Sequence, residues 1–333
     1  PIASIVDRAT GEPFVEAAPL PFGAVLLYRP DDPRTIPPGG DFQARRELYE
    51  GVPVEGRVVH MLPAPSDDGS GRRSLPLARE LVLAGPEAAC VRCAQADPAG
   101  WAVSWEVWLY RGLPRVDLVV SVQRPRPEAS GPTPRDGAVQ PGDLLYLALP
   151  FAMPEVTIRH QVPGGWAEPG AGGQIPGSCM DTYAVADWIR LIGGGKSVVV
   201  SSLDAPLVEY DAIQAGRFLR DWRPTSGRLF FRLAQASARW DHLSREDPGR
   251  LTFRFSLWLR TSVVSDREAT VAGAAAQHPL IARYLPSVPP IPNAWQPGPP
   301  PLACVEGTDA VLLDGPVRLQ DPGAYLLWLG ETA

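Results

Sequence analysis

Long apolar runs and clustered histidine are what this 333-residue sequence lacks, and lysine is all but missing. No stretch approaches the roughly 18 consecutive apolar residues of a membrane-spanning helix, so no membrane partner is expected. The net charge of −6 is spread along the chain without a basic stripe, which argues against nucleic acid as a partner. Lys196 is the only lysine, and every other basic residue apart from histidine is arginine. With the richness in Ala, Gly and Pro, this points to the codons of a GC-rich bacterial genome rather than to chemistry. The four histidines, His60, His160, His242 and His278, all lie more than five residues apart. Neither H-E-x-x-H nor H-x-D occurs, so there is no local metal signature and no cofactor is expected in the chain. The G-x-S-x-G elbow, the P-loop and the dinucleotide fingerprint are also missing. The chain opens Pro1-Ile2-Ala3-Ser4 with neither a basic n-region nor an apolar h-region. No signal peptide is in view, and a cytoplasmic location is the expectation.

Cysteine is scarce too. Cys90 and Cys93 have C-x-x-C spacing, with Cys179 and Cys304 elsewhere. A zinc site would want a second pair, and a redox dithiol would sit at a helix N-terminus. This pair falls inside an alternating segment, where positions i and i+3 of a strand face opposite sides. Both read as packed strand thiols.

Turn chemistry and alternation are abundant. Pro 39 and Gly 32 suit many short strands joined by turns. In "WAVSWEVWLY" Trp101, Val103, Trp105, Val107 and Leu109 share one face, and "RGLPR" turns the chain into "VDLVVSVQR". In "LTFRFSLWLR" Leu251, Phe253, Phe255, Leu257 and Leu259 do the same; "VTIRHQ" and "RLFFRLA" behave similarly. "YAVADWIRLI", the glycines 193–195 and "KSVVVSSL" read as strand, tight turn, strand. One helix is predicted, opened by the capping box Ser265-Asp266-Arg267-Glu268 and stopped by Pro279. The polar stretches 64–73 and 124–142 read as mobile excursions. The pattern predicts an all-β chain, a large antiparallel structure of two stacked sheets with a short helix and a small C-terminal strand pair. The expected division is a β domain over 1–285, a Pro-rich connector over 286–301, and a pair built from "DAVLLDGPVRL" and "GAYLLWLG" within 302–333 that packs back on the sandwich.

Site candidates come from side-chain chemistry. Ten tryptophans stand out, because an indole face stacks on the C–H face of a sugar ring while nearby polar groups bind its hydroxyls. Trp166, Trp222 and Trp240 lie in turn-rich surroundings that favour exposure, whereas Trp101, Trp105 and Trp258 read as packing. Asp181, Asp187, Asp204, Glu209, Asp211, Asp221 and Asp241 crowd the middle third and read mostly as turn formers and solvated edge charges. The loop before the triple glycine places Gln174, Asp181 and Tyr183 where a cleft or domain boundary would form.

Several segments together resemble the C-terminal β region of the family-38 glycoside hydrolases, the α-mannosidases. They are "SIVDRATGEPFV", "WEVWLYRGLPRVDL", "YLALPF", "GQIPGSCMDTYAVADWI", "SLDAPLVEY", "ARWDHLSREDPGRLTFRFSL" and "AGAAAQHPLIA". The resemblance covers most of residues 1–285. It implies a galactose-mutarotase-like supersandwich and adds Trp240 and Asp241, which match part of a family turn, to the carbohydrate-binding candidates. The family's zinc and cleaving carboxylates belong mainly to an N-terminal domain without a counterpart here. The resemblance thus implies an accessory domain that binds a mannoside-type glycan and packs on an N-terminal catalytic domain or chain, with zinc only in that catalytic part. Two alternatives stay open. One is a self-sufficient mutarotase-like epimerase with His160 or His242 as general acid; the other is a non-catalytic carbohydrate-binding module.

Overall fold

The structure, a computed structural model, describes residues 2–16, 18, 20–30, 56–63, 77–97, 100–124, 143–170, 172–175, 178–214, 219, 222–235, 249–278, 281–284, 309–312, 315–318 and 325–328. In chain order the strands are β1 (Ile5–Val6), β2 (Pro13–Val15), β3 (Ala24–Pro30), β4 (Gly56–Leu62), β5 (Ala78–Ala84), β6 (Ala88–Ala96), β7 (Ala102–Tyr110), β8 (Arg115–Gln123), β9 (Leu144–Pro154), β10 (Thr157–Val162) and β11 (Gly165–Ala167). After them come β12 (Tyr183–Ala184), β13 (Ile189–Gly193), β14 (Lys196–Ser202), β15 (Leu207–Tyr210), β16 (Ser226–Gln235) and β17 (Arg250–Arg260). The helix α1 (Asp266–Gln277) precedes β18 (Ile281–Tyr284), β19 (Asp309–Leu312), β20 (Gly315–Arg318) and β21 (Tyr325–Trp328). The chain divides into two compact units, Pro1–Gly273 and Ala274–Ala333.

In the first unit a nine-stranded sheet runs β11-β10-β13-β14-β17-β8-β7-β6-β5, and a six-stranded sheet runs β12-β15-β16-β9-β3-β4. Every ladder is antiparallel and neither sheet closes into a barrel. The fold is therefore the expected all-β, two-layer antiparallel sandwich. Alternation is its cause. Phe253, Phe255 and Leu257 of β17, with Leu118, Val120 and Val122 of β8, point inward. They meet Leu145, Leu147 and Leu149 of β9 and Leu229 and Phe231 of β16 from the opposing sheet. Each such side chain contributes about 1.5–3 kcal/mol by leaving water. Trp105 ties the layers by a hydrogen bond as well, its indole N–H donating to the Gly23 carbonyl at 2.6 Å.

The β13–β14 turn follows the sequence reading. Gly193 pairs with Lys196, which leaves Gly194 and Gly195 as a two-residue loop with φ of 58° and 77°, the left-handed conformation that type I′ hairpins require. The capping box also forms: Glu268 accepts from the Ser265 backbone N–H at 2.7 Å, and the Glu268 N–H donates to Ser265 Oγ at 3.3 Å. No helix among the described residues is long and apolar enough to cross a membrane.

Three details differ from the expectation. "YAVADWIRLI" is not one strand: Tyr183–Ala184 pairs with β15 in the six-stranded sheet, and the chain then crosses to the nine-stranded sheet as β13. Inward residues alternate on both sides of this crossing, so the pattern does not register the change of sheet. In the second unit "DAVL" pairs with "GPVR", while "YLLW" pairs with "IARY" of β18 rather than with "DAVLLDGPVRL". Leu109, on the same alternating face as the buried Val103 and Trp105, is 51% exposed. The stretch 64–73, positions 125–142 and the connector 286–301 lie outside the described residues.

Candidate functional site

The crossing from β12 to β13 opens a cleft at one end of the sandwich. Strand β10 and the edge strand β11 form one side, and β12 with residues 172–175 and 178–182 forms the other. This open depression of about 650 Å³ is lined by His160, Ala167, Gln174, Ser178, Thr182 and Tyr183 among others.

An aromatic cluster lies at its inner end. His160 alternates inward on β10 and is 1% exposed. Its ring lies 5.4 Å from the Tyr183 ring and 6.0 Å from that of Tyr210, and the two tyrosine rings are 5.1 Å apart. The Tyr210 hydroxyl is 3.2 Å from His160 Nδ1. Burial pulls the His160 imidazole down to about 4, so the ring is neutral around pH 7. Burial also pushes the Tyr183 phenol up to about 12 and that of Tyr210 well above its usual value. All three present themselves as uncharged hydrogen-bonding groups.

The walls are held from behind. The Gly170 N–H donates to the Tyr183 hydroxyl at 2.9 Å. Gly170 has φ of 91°, and a Cβ there would collide with the Trp222 carbonyl, so this loop is seated where only glycine fits. The Thr182 hydroxyl donates to Glu209 at 3.2 Å and accepts from Arg232 at 2.8 Å. Glu209 is fully buried and also accepts from Tyr146 at 2.6 Å, from Arg232 at 2.6 Å and from the Gln214 N–H. Reading it as a solvated edge charge does not hold: it is fully buried, and Tyr146 and Arg232 of its own sheet, with Thr182 and Gln214, surround it with donors.

The sequence candidates separate accordingly. Gln174 is half-buried on the cleft wall, 3.0 Å from the Ser178 hydroxyl, and Tyr183 lines the same space. Asp181 is buried, and one carboxylate oxygen accepts the Leu219 N–H at 2.9 Å. Trp240 and Asp241 lie outside the described residues. Trp166 is 46% exposed as anticipated, with the Arg159 guanidinium 3.7 Å from its ring centre, whereas Trp222 packs against the core. Ser178, Thr182 and Tyr210 were not foreseen; "SLDAPLVEY" ends in Tyr210, but nothing local says that it meets a histidine fifty residues away. Cys90 and Cys93 occupy β6 as free thiols, the first buried and the second half-buried. Among the described residues no group of three or more His, Cys, Asp or Glu side chains is placed to hold a metal ion.

No family model and no curated protein matches the chain. Solved structures do. An α-mannosidase from Enterococcus faecalis V583 is similar at a TM-score of 0.50, with 12% identity over 83% of this chain and 29% of that one. A glycosyl hydrolase family 38 protein from Enterococcus faecalis gives 0.49, with 13% identity over 83% and 30%. Galactose 1-epimerase from Lactobacillus acidophilus NCFM gives 0.32, with 8% identity over 61% and 74%. The match to the α-mannosidase is one of fold, and it spans under a third of that protein's length.

Proposed function

We propose that this chain is the accessory β-sandwich of a glycoside-hydrolase-like protein of α-mannosidase type, which contacts carbohydrate and packs on a catalytic domain. The supporting observation is the fold shared with an α-mannosidase over 83% of this chain and only 29% of that one. In this reading zinc and the cleaving carboxylates belong to that catalytic domain, and the glycan is of mannoside type. Gln174 and Tyr183 contact it in the cleft beside His160, Asp181 holds the wall in place, and Trp240 and Asp241 supply further contacts. The epimerase alternative needs a carboxylate working with the histidine in the cleft. The hydrogen-bond partner of His160 is Tyr210 instead, which favours the accessory role.

The test uses the purified chain with added Zn²⁺. It is expected to leave an aryl α-mannoside intact while binding free mannoside at millimolar concentration. Cleavage at an enzyme-like rate overturns the accessory role, and silence in calorimetry at tens of millimolar sugar overturns the carbohydrate contact.

A further inference from the structure

On the outer face of the nine-stranded sheet, beside α1, polar side chains stand in one cross-strand row. Ser201 of β14 pairs with Ser256 of β17. Ile189 pairs with Val200 on one side and with His160 on the other, so Trp188 is level with Ser201 and with Gln161. The Gln161 N–H donates to the Trp188 carbonyl at 2.9 Å, which fixes that register. Trp258 shares the face of Ser256, two residues on. Trp188 and Trp258 pack with Val199 against Ala269 and Ala272 of α1, and Trp188, Ser201 and Ser256 are buried. Gln161 Oε1, Trp188 Nε1, Ser201 Oγ, Ser256 Oγ and Trp258 Nε1 are all sealed from solvent and have no hydrogen-bond partner among the described residues. Ser121 and Thr252 hold the same cross-strand relation where this face is exposed, and there the two hydroxyls meet at 2.9 Å. Ser201 and Ser256 do not.

Each buried polar group left unsatisfied carries its desolvation cost, so five along one row point to a bound species. Their mixed polarity says which. The indole N–H groups only donate, the amide oxygen only accepts, and hydroxyls do either. Asp117, opposite Ser256 on β8, is committed to Tyr110 and Arg115 at 2.7 Å. An anion would suit the indoles but face the amide oxygen and that carboxylate; a cation would face the indole donors. Water both donates and accepts. We propose that this row is an internal water site, in which ordered water bridges Trp188, Ser201, Ser256, Trp258 and Gln161 and joins β10, β14 and β17 beside α1. At about three hydrogen bonds to each buried water, the five groups call for about two molecules. The site is independent of the sugar reading above.

The experiment records water–protein NOE and ROE spectra of the full chain, with the indole Hε1 resonances assigned through Trp188→Phe and Trp258→Phe. Both Hε1 protons are expected to show cross-peaks to water, with the NOE sign of a long-lived internal molecule rather than of surface hydration. Urea unfolding of Ser256→Ala supplies a second readout. A hydroxyl engaged with water is missed when it is removed, so the midpoint is expected to fall; a dry, orphaned hydroxyl is a liability, and its removal would raise the midpoint. Either Hε1 proton without a water cross-peak of that sign, or an unchanged or raised midpoint, overturns the site. Indole resonances that move saturably as sodium chloride is added overturn it as well, by assigning the row to an anion.

Discussion

Glu209 shows how far a single residue's role depends on the sheet around it. In "LVEY" it has the look of an outward strand charge, yet it is fully buried with Arg232, Tyr146 and Thr182 hydrogen-bonded to it. Removing it leaves a guanidinium without its buried counter-ion, so Glu209→Ala is expected to cost about 3–5 kcal/mol in urea denaturation. A loss below about 1 kcal/mol would mean that water already solvates the pair. His160 makes the second prediction. Its folded value of about 4 lies below the usual 6.5 because burial disfavours the charged ring. As pH falls through 6.5 the unfolded chain takes up this proton and the folded chain does not. The contribution is therefore complete above neutrality and is lost between pH 6.5 and 4, roughly 3 kcal/mol in total. His160→Gln is expected to flatten that part of the pH–stability curve, and identical slopes for the two proteins would contradict the assignment. Gln174 and Tyr183 were legible as cleft residues because a polar, glycine-rich loop precedes them. Tyr210 was not, since its partner is fixed by strand pairing across the sandwich.

Among the elements, local chemistry was readable where hydrogen bonds close within a few residues. The β13–β14 hairpin and the α1 cap are such cases. Gly195→Val forces a β-branched residue to φ of 77° and is expected to cost about 1–2 kcal/mol; an unchanged denaturation midpoint would refute the turn geometry. Ser265→Ala removes the acceptor at the head of α1 and should cost about 1 kcal/mol by the same measurement, and no change would show that the cap contributes nothing. The crossing between β12 and β13 was not readable. A period of two records which face of a strand is buried, not which sheet it joins, and β15, the partner of β12, comes from elsewhere in the chain. The pairings of β18 to β21 escaped for the same reason, because turn signals favour neighbours in sequence while β21 pairs with a strand about forty residues earlier.

For the molecule as a whole, the layered architecture followed from inward alternation in segment after segment, whereas strand order and the unequal widths of the sheets did not. Nine strands facing six leave β5 exposed along its length, with Leu81 64% accessible. The bulge between Leu81 and Leu83, together with Arg79 and Glu80, makes this edge a poor template for a further strand. At the other end the same sheet carries β10 and β11 to the cleft, so one sandwich presents a guarded edge and a polar one. Under the proposed function the gap between β10–β11 and β12 receives sugar. Chemical-shift mapping of the ¹⁵N-labelled chain with methyl α-mannopyranoside tests it most directly. Saturable shifts confined to the cleft, at His160, Gln174, Ser178 and Tyr183, are predicted; an unperturbed spectrum at tens of millimolar sugar, or shifts confined to another face, would contradict it.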